Sequence, residues 1–241
     1  MCSKRYFEYK FDEKIRQRLL KFYQQDGKEF GNDANELKIQ LKINRIRNKI
    51  EFHQDDVICD IGCSSGALLR FLEGEYKQGI GLDISNEVIK NNIINNKSST
   101  ITYKVFDGIN ITEKNIDKVF LFDVLEHAFE PDKLIESIYS SLKPNGQLIM
   151  QVPSTGWLSE LLFGKYHLGH LRYYDETYLR EYLMKHGFDV VFITSFNSVP
   201  FSSRILRCKW LYTICDAMIK IIPHKLFPYY GSVVAIAKKN S

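Results

Sequence analysis

The 241-residue chain has no C-x-x-C pair among its five cysteines, Cys2, Cys59, Cys63, Cys208 and Cys215. Their odd number and their spacing fit neither a disulfide framework nor a zinc site, so no metal is expected and a reducing compartment is the simpler reading. No apolar run reaches the ~18 residues needed to span a bilayer. The opening Met-Cys-Ser-Lys-Arg-Tyr-Phe-Glu lacks the apolar core of a signal peptide, so a cytoplasmic location is expected. Neither an internal repeat nor a low-complexity tract is evident. What remains is a chain with an ordinary 44% of apolar residues, long enough to bury one full core.

The net charge of +4 conceals a segregation. Residues 1–50 carry 13 Lys and Arg against 7 Asp and Glu, residues 51–200 carry 13 against 21, and residues 201–241 carry 7 against 1. The central body is therefore acidic and both ends are basic. An acidic body argues against nucleic acid as a partner, whereas basic ends interleaved with aromatics suit an anionic lipid or an anionic substrate.

Val57 to Gly66 reads V-I-C-D-I-G-C-S-S-G, an apolar run ending in Asp60 and then a loop of small residues between Gly62 and Gly66. The helical pattern Ala67-Leu68-Leu69-Arg70-Phe71-Leu72 follows. Strand, tight loop and helix place backbone amides close to a ligand, and glycines permit that approach. Seventeen residues after Gly66, a second strand, Gly79-Ile80-Gly81-Leu82, ends in Asp83. A carboxylate at such a strand tip can accept hydrogen bonds from both ribose hydroxyls of a nucleoside. The spacing G-x-x-x-G departs from the dinucleotide fingerprint G-x-G-x-x-G, so a pyrophosphate cofactor fits poorly.

Upstream, residues 11–24 and 35–50 carry apolar residues at helical spacing, separated by the turn-rich stretch 26–33. They are expected to form an N-terminal helical cap over 1–50. From residue 51 strands and helices alternate, which predicts a Rossmann-like doubly wound α/β sheet of seven strands. Six strands are placed near 56–60, 78–83, 101–106, 118–122, 147–152 and 188–196. The seventh, near 232–237, is expected to run antiparallel. Helices near 65–74, 85–95, 131–142 and 175–186 cover both faces, and Gly187 reads as a C-cap. Residues 154–170 read as a loop with one short helix, and 201–229 as a helical insertion.

Several anchors in order resemble class I S-adenosylmethionine-dependent methyltransferases. Asp60-Ile61-Gly62-Cys63-Ser64-Ser65-Gly66 resembles their first motif, Asp83 the ribose-binding acid, and Phe106-Asp107-Gly108 the segment beside the adenine. Asp123-Val124-Leu125-Glu126-His127 resembles the D-x-L-E-H signature of the ubiquinone-type, small-molecule branch. Leu142-Lys143-Pro144-Asn145-Gly146 and His170-Leu171-Arg172-Tyr173-Tyr174 resemble two further elements of that branch. The resemblance implies a cofactor site formed by Asp60, Gly62, Cys63, Ser64, Gly66, Asp83, Ile84, Phe106, Asp107, Gly108, Asp123 and Val124. It implies S-adenosylmethionine as methyl donor and S-adenosylhomocysteine as product.

His127 and His170 are the candidates for substrate contact or general base, because imidazole titrates near neutrality. Each could equally be a structural histidine beside the pocket. Asp107 before a glycine is also a turn signal, and Glu126 reads as an orienting or capping carboxylate. The place after the fourth strand lacks the Asn/Asp-Pro-Pro-aromatic motif of base N-methyltransferases, and no Pro-Cys nucleophile occurs. The expected reaction is therefore methyl transfer to oxygen or carbon of a small-molecule or lipid-linked acceptor. The alternatives are a non-catalytic member of the same fold and, less well matched, a nicotinamide oxidoreductase.

Residues 201–229 carry a wide apolar face flanked by Arg204, Arg207, Lys209, Lys220 and Lys225. This pattern suits either peripheral membrane contact or packing on the domain or on a second copy, and leaves the oligomeric state open. Flotation with anionic vesicles separates the two: on the membrane reading the protein rises with the vesicles, and protein left at the bottom of the gradient removes that reading.

Overall fold

The computed structural model describes residues 7–8, 17, 33–154, 171–197, 214 and 231–240. Three expectations lie outside that set: the helix over 11–24 apart from Gln17, the loop over 155–170 with His170, and the insertion over 201–229 apart from Ile214.

The described chain forms β1 (Phe7–Glu8), α1 (Asp33–Ile46), β2 (Val57–Ile61), α2 (Ala67–Phe71), β3 (Gln78–Asp83), α3 (Asn86–Asn95), β4 (Ile101–Val105) and β5 (Ile116–Phe122). It continues with α4 (Pro131–Ser141), β6 (Leu142–Ser154), β7 (Arg172–Tyr173), α5 (Glu176–Lys185), β8 (Phe188–Asn197) and β9 (Gly231–Lys239). Seven strands make one sheet in the order β4-β3-β2-β5-β6-β9-β8. The pairs β4-β3, β3-β2, β2-β5 and β5-β6 are parallel, and β9 runs antiparallel to both β6 and β8. The expected sheet, with its last strand reversed, is the one observed. A separate short ladder joins β1 to β7, with Phe7 opposite Tyr173.

Alternation along the strands explains the layers. Cys59, Ile61, Val119, Leu121, Leu148 and Met150 face one side, where they meet Leu134, Ile135 and Ile138 of α4 and Leu179 and Leu183 of α5. Ile58, Phe120, Phe122 and Ile149 face the other side with Ile43 and Ile46 of α1, Leu68 and Leu69 of α2, and Ile89 of α3. Local chemistry sets the helix boundaries. The Ser85 hydroxyl accepts from the Val88 amide at 3.3 Å to start α3, the Asp175 carboxylate accepts from the Tyr178 amide at 2.7 Å to start α5, and Pro131 opens α4. Gly187 ends α5 at φ 87°, as its position predicts.

One boundary differs. The turn Lys143-Pro144-Asn145-Gly146 is expected to precede the fifth strand, yet Ile116 pairs with Leu142 and Lys118 next pairs with Gln147. The four residues bulge out of a strand that has already begun. Asn145 at φ 63° and Pro144, which has no amide proton to offer a neighbour, suit that excursion.

At the opposite edge from the strand tips, Lys118 and Asp56 form an ion pair with each side chain 6% exposed. Asp56 also accepts from the His53 amide at 2.9 Å, while Asp117 accepts from the Val57 amide and from Lys143, both at 2.8 Å. Stranding one charge of such a buried pair costs about 3–5 kcal/mol, whereas replacing both costs less. In urea unfolding, K118M and D56N should each lose stability of that order, and the K118M/D56N double variant should lose less than the sum. An additive double variant would contradict the pair's coupling.

Candidate active site

The strand order reverses between β2 and β5, and parallel sheets open a ligand crevice at that point beyond their carboxyl ends. The tips of β2, β3 and β5 bring together the sequence-predicted set. Asp60 lies in β2, 5% exposed. Gly62 (φ 73°) faces Val124 so closely that a Cβ on it would lie 2.5 Å from Val124 Cγ2, and a Cβ on Gly66 (φ 73°) would collide with the Tyr103 hydroxyl. Glycine is required at both places for space as well as for backbone conformation.

The loop differs from expectation in what its amides do. Those of Gly62 and Cys63 donate to the Leu82 carbonyl at 2.7 and 3.0 Å, Ser64 donates to Asp83 Oδ2 at 3.0 Å, and Gly66 donates to the Cys63 carbonyl at 2.8 Å. Four loop amides are thus committed within the protein. They lock the loop onto the end of β3 and orient Asp83, whose other oxygen accepts from the Ser85 amide at 2.9 Å. Cys63 and Cys59 are buried free thiols, both pushed up in pKa by burial first and then by Asp60, so they are inert.

Beyond Asp83, Ile84 lies beneath Gly108, with a Cβ on Gly108 falling 3.7 Å from Ile84 Cγ2. Phe106 is buried and its amide donates to the Asp83 carbonyl. Asp107 builds the turn that its position signals: Oδ1 accepts from the Ile109 and Asn110 amides at 2.8 and 2.6 Å and Oδ2 from the Asn110 side chain at 2.6 Å. Its slight burial would raise the carboxyl, but these bonds outweigh that and lower it. A cavity of about 220 Å³ lies alongside, lined by Leu82, Phe106, Asp107 and Glu113. A wider cleft of about 560 Å³ lies between the start of α4 and α5, lined by Arg172, Tyr174 and Tyr178 among others. It does not include Asp60 or Asp83.

Asp123 takes the unusual φ of 55° just past β5. Its Oδ2 receives the Lys42 ammonium of α1 at 2.5 Å and its Oδ1 the Gln151 amide of β6 at 3.1 Å. It lies on an open wall, with 42% of its side chain exposed to solvent. Burial alone would raise its pKa, but Lys42 and the Gln151 bond prevail and lower it. In the short 3-10 turn Leu125–His127, Glu126 is fully buried and His127 is 22% exposed. Burial first, and then the Asp123 charge, push the Glu126 carboxyl well above its ordinary range.

Sequence reasoning missed Lys42 and Gln151. Both carried a signal: Lys42 lies between the inward-facing Ile39 and Ile43 of an amphipathic helix, and Gln151 interrupts the apolar run Leu148 to Val152. Among the described residues, no group of three or more His, Cys, Asp or Glu side chains could hold a metal ion. Among the same residues, no helix is long and apolar enough to cross a membrane.

The fold, with acids at the tips of adjacent parallel strands and a reversed last strand, is that of class I S-adenosylmethionine-dependent methyltransferases. A family model for the methyltransferase domain matches residues 11–192, more than half of the chain, and the chain belongs to that family. Phosphoethanolamine N-methyltransferase 2 of Caenorhabditis elegans is 25% identical over 113 residues, which are 44% of this chain and 26% of that protein. The chain thus spans about a quarter of that curated relative's length. A Haloferax volcanii methyltransferase solved in complex with the Trm112 methyltransferase activator has a TM-score of 0.65 and 17% identity, over 87% of this chain and 95% of that one. Haemonchus contortus phosphoethanolamine N-methyltransferase 2 in complex with S-adenosyl-L-methionine has a TM-score of 0.63 and 18% identity, over 92% of this chain and 60% of that one. At these identities the solved structures speak for the fold alone.

Asp60 has a consequence that can be measured without any ligand. Burial, and then repulsion from Asp83, raise its carboxyl to about 8, with Lys42 offsetting part of this. The folded state therefore binds a proton that the unfolded chain releases near pH 4, and stability falls as pH rises from about 4 to about 8. D60N should remove a share of that slope, on the order of 5 kcal/mol, and unfold at higher temperature than the parent at pH 8. Parallel pH–stability curves for the two proteins would contradict this.

Proposed function

We propose that the chain transfers a methyl group from S-adenosylmethionine to a small-molecule acceptor, and that the accepting atom is an amine nitrogen. The observation that carries the cofactor reading is the pair of carboxylates Asp60 and Asp83 at the tips of adjacent strands, with the side-chain-free Gly62 and Gly66 between them. Their chemistry fits the group. A buried carboxyl that resists ionisation is a receptor for a cation, and Asp60 would hold the methionine ammonium. Asp83 keeps a lone pair on each oxygen for the ribose hydroxyls. Ile84, Phe106, Asp107 and Gly108 would border the adenine, and Asp123 and Val124 would close the side facing the acceptor. The bound cofactor supplies an activated methyl group on a sulfonium centre.

The chain's own part is to orient the acceptor for in-line attack and to remove its proton. His127, at the carboxyl edge of β5, is the base. The wall beside it carries hydrogen-bond acceptors in excess: the open carboxylate of Asp123, and Gln151 Oε1, which lacks a donor among the described residues. Acceptor-rich walls select a ligand with N–H donors and positive charge. The ammonium of Lys42 already occupies part of that wall. The relatives named as phosphoethanolamine N-methyltransferases favour nitrogen too. A hydroxyl, carbon or lipid-linked acceptor is the second reading, and His127 as a base suits a hydroxyl. The expected cap over residues 1–50 would act through α1, whose Lys42 reaches Asp123.

Titration calorimetry tests the cofactor step. S-adenosylhomocysteine should bind and NAD should not. Affinity should increase as pH rises from 6 to 8, with proton release, because the ammonium displaces the proton held by Asp60. D83A should weaken binding by roughly tenfold to a hundredfold. Unchanged affinity in both D60N and D83A would sink the assignment. A panel of primary amines, phosphorylated amines, catechols and hydroxy acids then decides the accepting atom; turnover confined to hydroxyl compounds overturns the amine reading.

A further inference from the structure

The turn after β5 contains a buried group that the mechanism above does not use. Glu126 is 0% exposed, and neither of its carboxylate oxygens has a hydrogen-bond partner among the described residues. Its backbone is pinned, since the Glu126 carbonyl accepts from the Leu171 amide at 2.8 Å, and the His127 amide donates to the Val124 carbonyl at 2.9 Å. With the main chain held at these points, the side chain has little freedom to reach solvent. Glu126 Oε1 lies 3.8 Å from His127 Nε2. Removing a carboxyl from water without a donor costs several kcal/mol, and a fold that needed only to fill this space would do so more cheaply with an apolar side chain.

We propose that Glu126 is a positioning residue for His127: it holds the imidazole by its Nε2 side and supplies the counter-charge when His127 takes a proton. This rests on the reading of His127 as the base. With Nε2 beside Glu126 Oε1, Nδ1 is the nitrogen assigned to the acceptor. One N–H proton passes from the acceptor nitrogen to Nδ1, its bonding pair stays on that nitrogen, and neutral imidazole becomes imidazolium. The Glu126–His127 pair thereby gains one positive charge, and the proton later leaves to solvent. Burial and Asp123 oppose the charge on Glu126, and Lys42 together with the imidazolium offsets that opposition, so the carboxylate is the form that faces protonated His127. The attraction between them means that the two groups titrate as a coupled pair.

Among the described residues, the other charged groups near Glu126 are Asp123 at the end of β5, which opposes its ionisation, and Lys42 of α1, which assists it. Arg172 of β7 donates to the Ala128 carbonyl just past the turn.

The test uses the full chain with isotopically labelled histidine. H127Q identifies the His127 ring signals, and E126Q removes the charge while keeping the shape. The imidazolium of His127 should titrate at least one pH unit lower in E126Q than in the parent, and E126D should restore part of the difference. With an acceptor in hand, kcat should fall tenfold or more in E126Q, with the acid limb of kcat/KM displaced to lower pH and the Kd for S-adenosylhomocysteine unchanged. E126M should melt at or above the parent temperature, which separates a functional carboxyl from one that the fold requires. A His127 titration identical in parent and E126Q overturns the proposal, as does an E126Q protein with the parent's pH profile. Failure of H127Q to lose activity would instead overturn the base assignment, so the two readings fail separately.

Discussion

Negative charge crowded at one edge of the sheet, and held there against its own repulsion, is the constraint on which the rest of the molecule depends. Asp60, Asp83, Asp123 and Glu126 converge on the tips of β2, β3 and β5, and burial disfavours ionisation of Asp60, Asp83 and Glu126. Such an arrangement persists only if the scaffold is stable enough to carry it. The scaffold is a doubly wound sheet with apolar layers on both faces and a second ionic network, built on Lys118, Asp56, Asp117 and Lys143, far from the site. The stable end balances the strained end.

The four acids do not share one environment, and the differences are what make a site. Asp83 has two backbone donors and a rigid orientation. Asp60 is buried beside the like charge of Asp83, and both effects favour its protonated form. Asp123 is open to solvent and paired with an ammonium from α1. Glu126 is sealed behind His127. Carboxyl groups with such divergent environments can serve in different protonation states at one pH. Lys42 ties the N-terminal helix into this balance, because its charge lowers the cost of Asp60, Asp123 and Glu126 together.

The glycine loop shows how a familiar pattern can be right in place and different in detail. Its spacing predicts a loop at the end of the first sheet strand beside Asp83, and the residues meet there. Yet the amides of Gly62, Cys63, Ser64 and Gly66 bind the protein itself. The loop therefore acts as a rigid bracket that leaves space, and in the proposed function recognition falls to the carboxylates. The turn before Gln147 is a similar case: Pro144 and Asn145 mark an excursion, but β6 has already begun at Leu142, because a bulge keeps its ladder with β5.

From the sequence alone came the order of strands and helices, the reversed last strand, the C-cap at Gly187, and the two acids at adjacent strand tips. These are legible because period, turn chemistry and motif spacing are local along the chain. Only the tertiary structure decided that Lys42, 81 residues away, would meet Asp123, that Gln151 would turn its amide toward the same carboxylate, and that Glu126 would be sealed off from water beside His127. Such pairings depend on which strand tips and helix faces the fold brings within a few ångströms. Electrostatic environment is a property of that proximity and of burial, and neither is written in spacing along the chain.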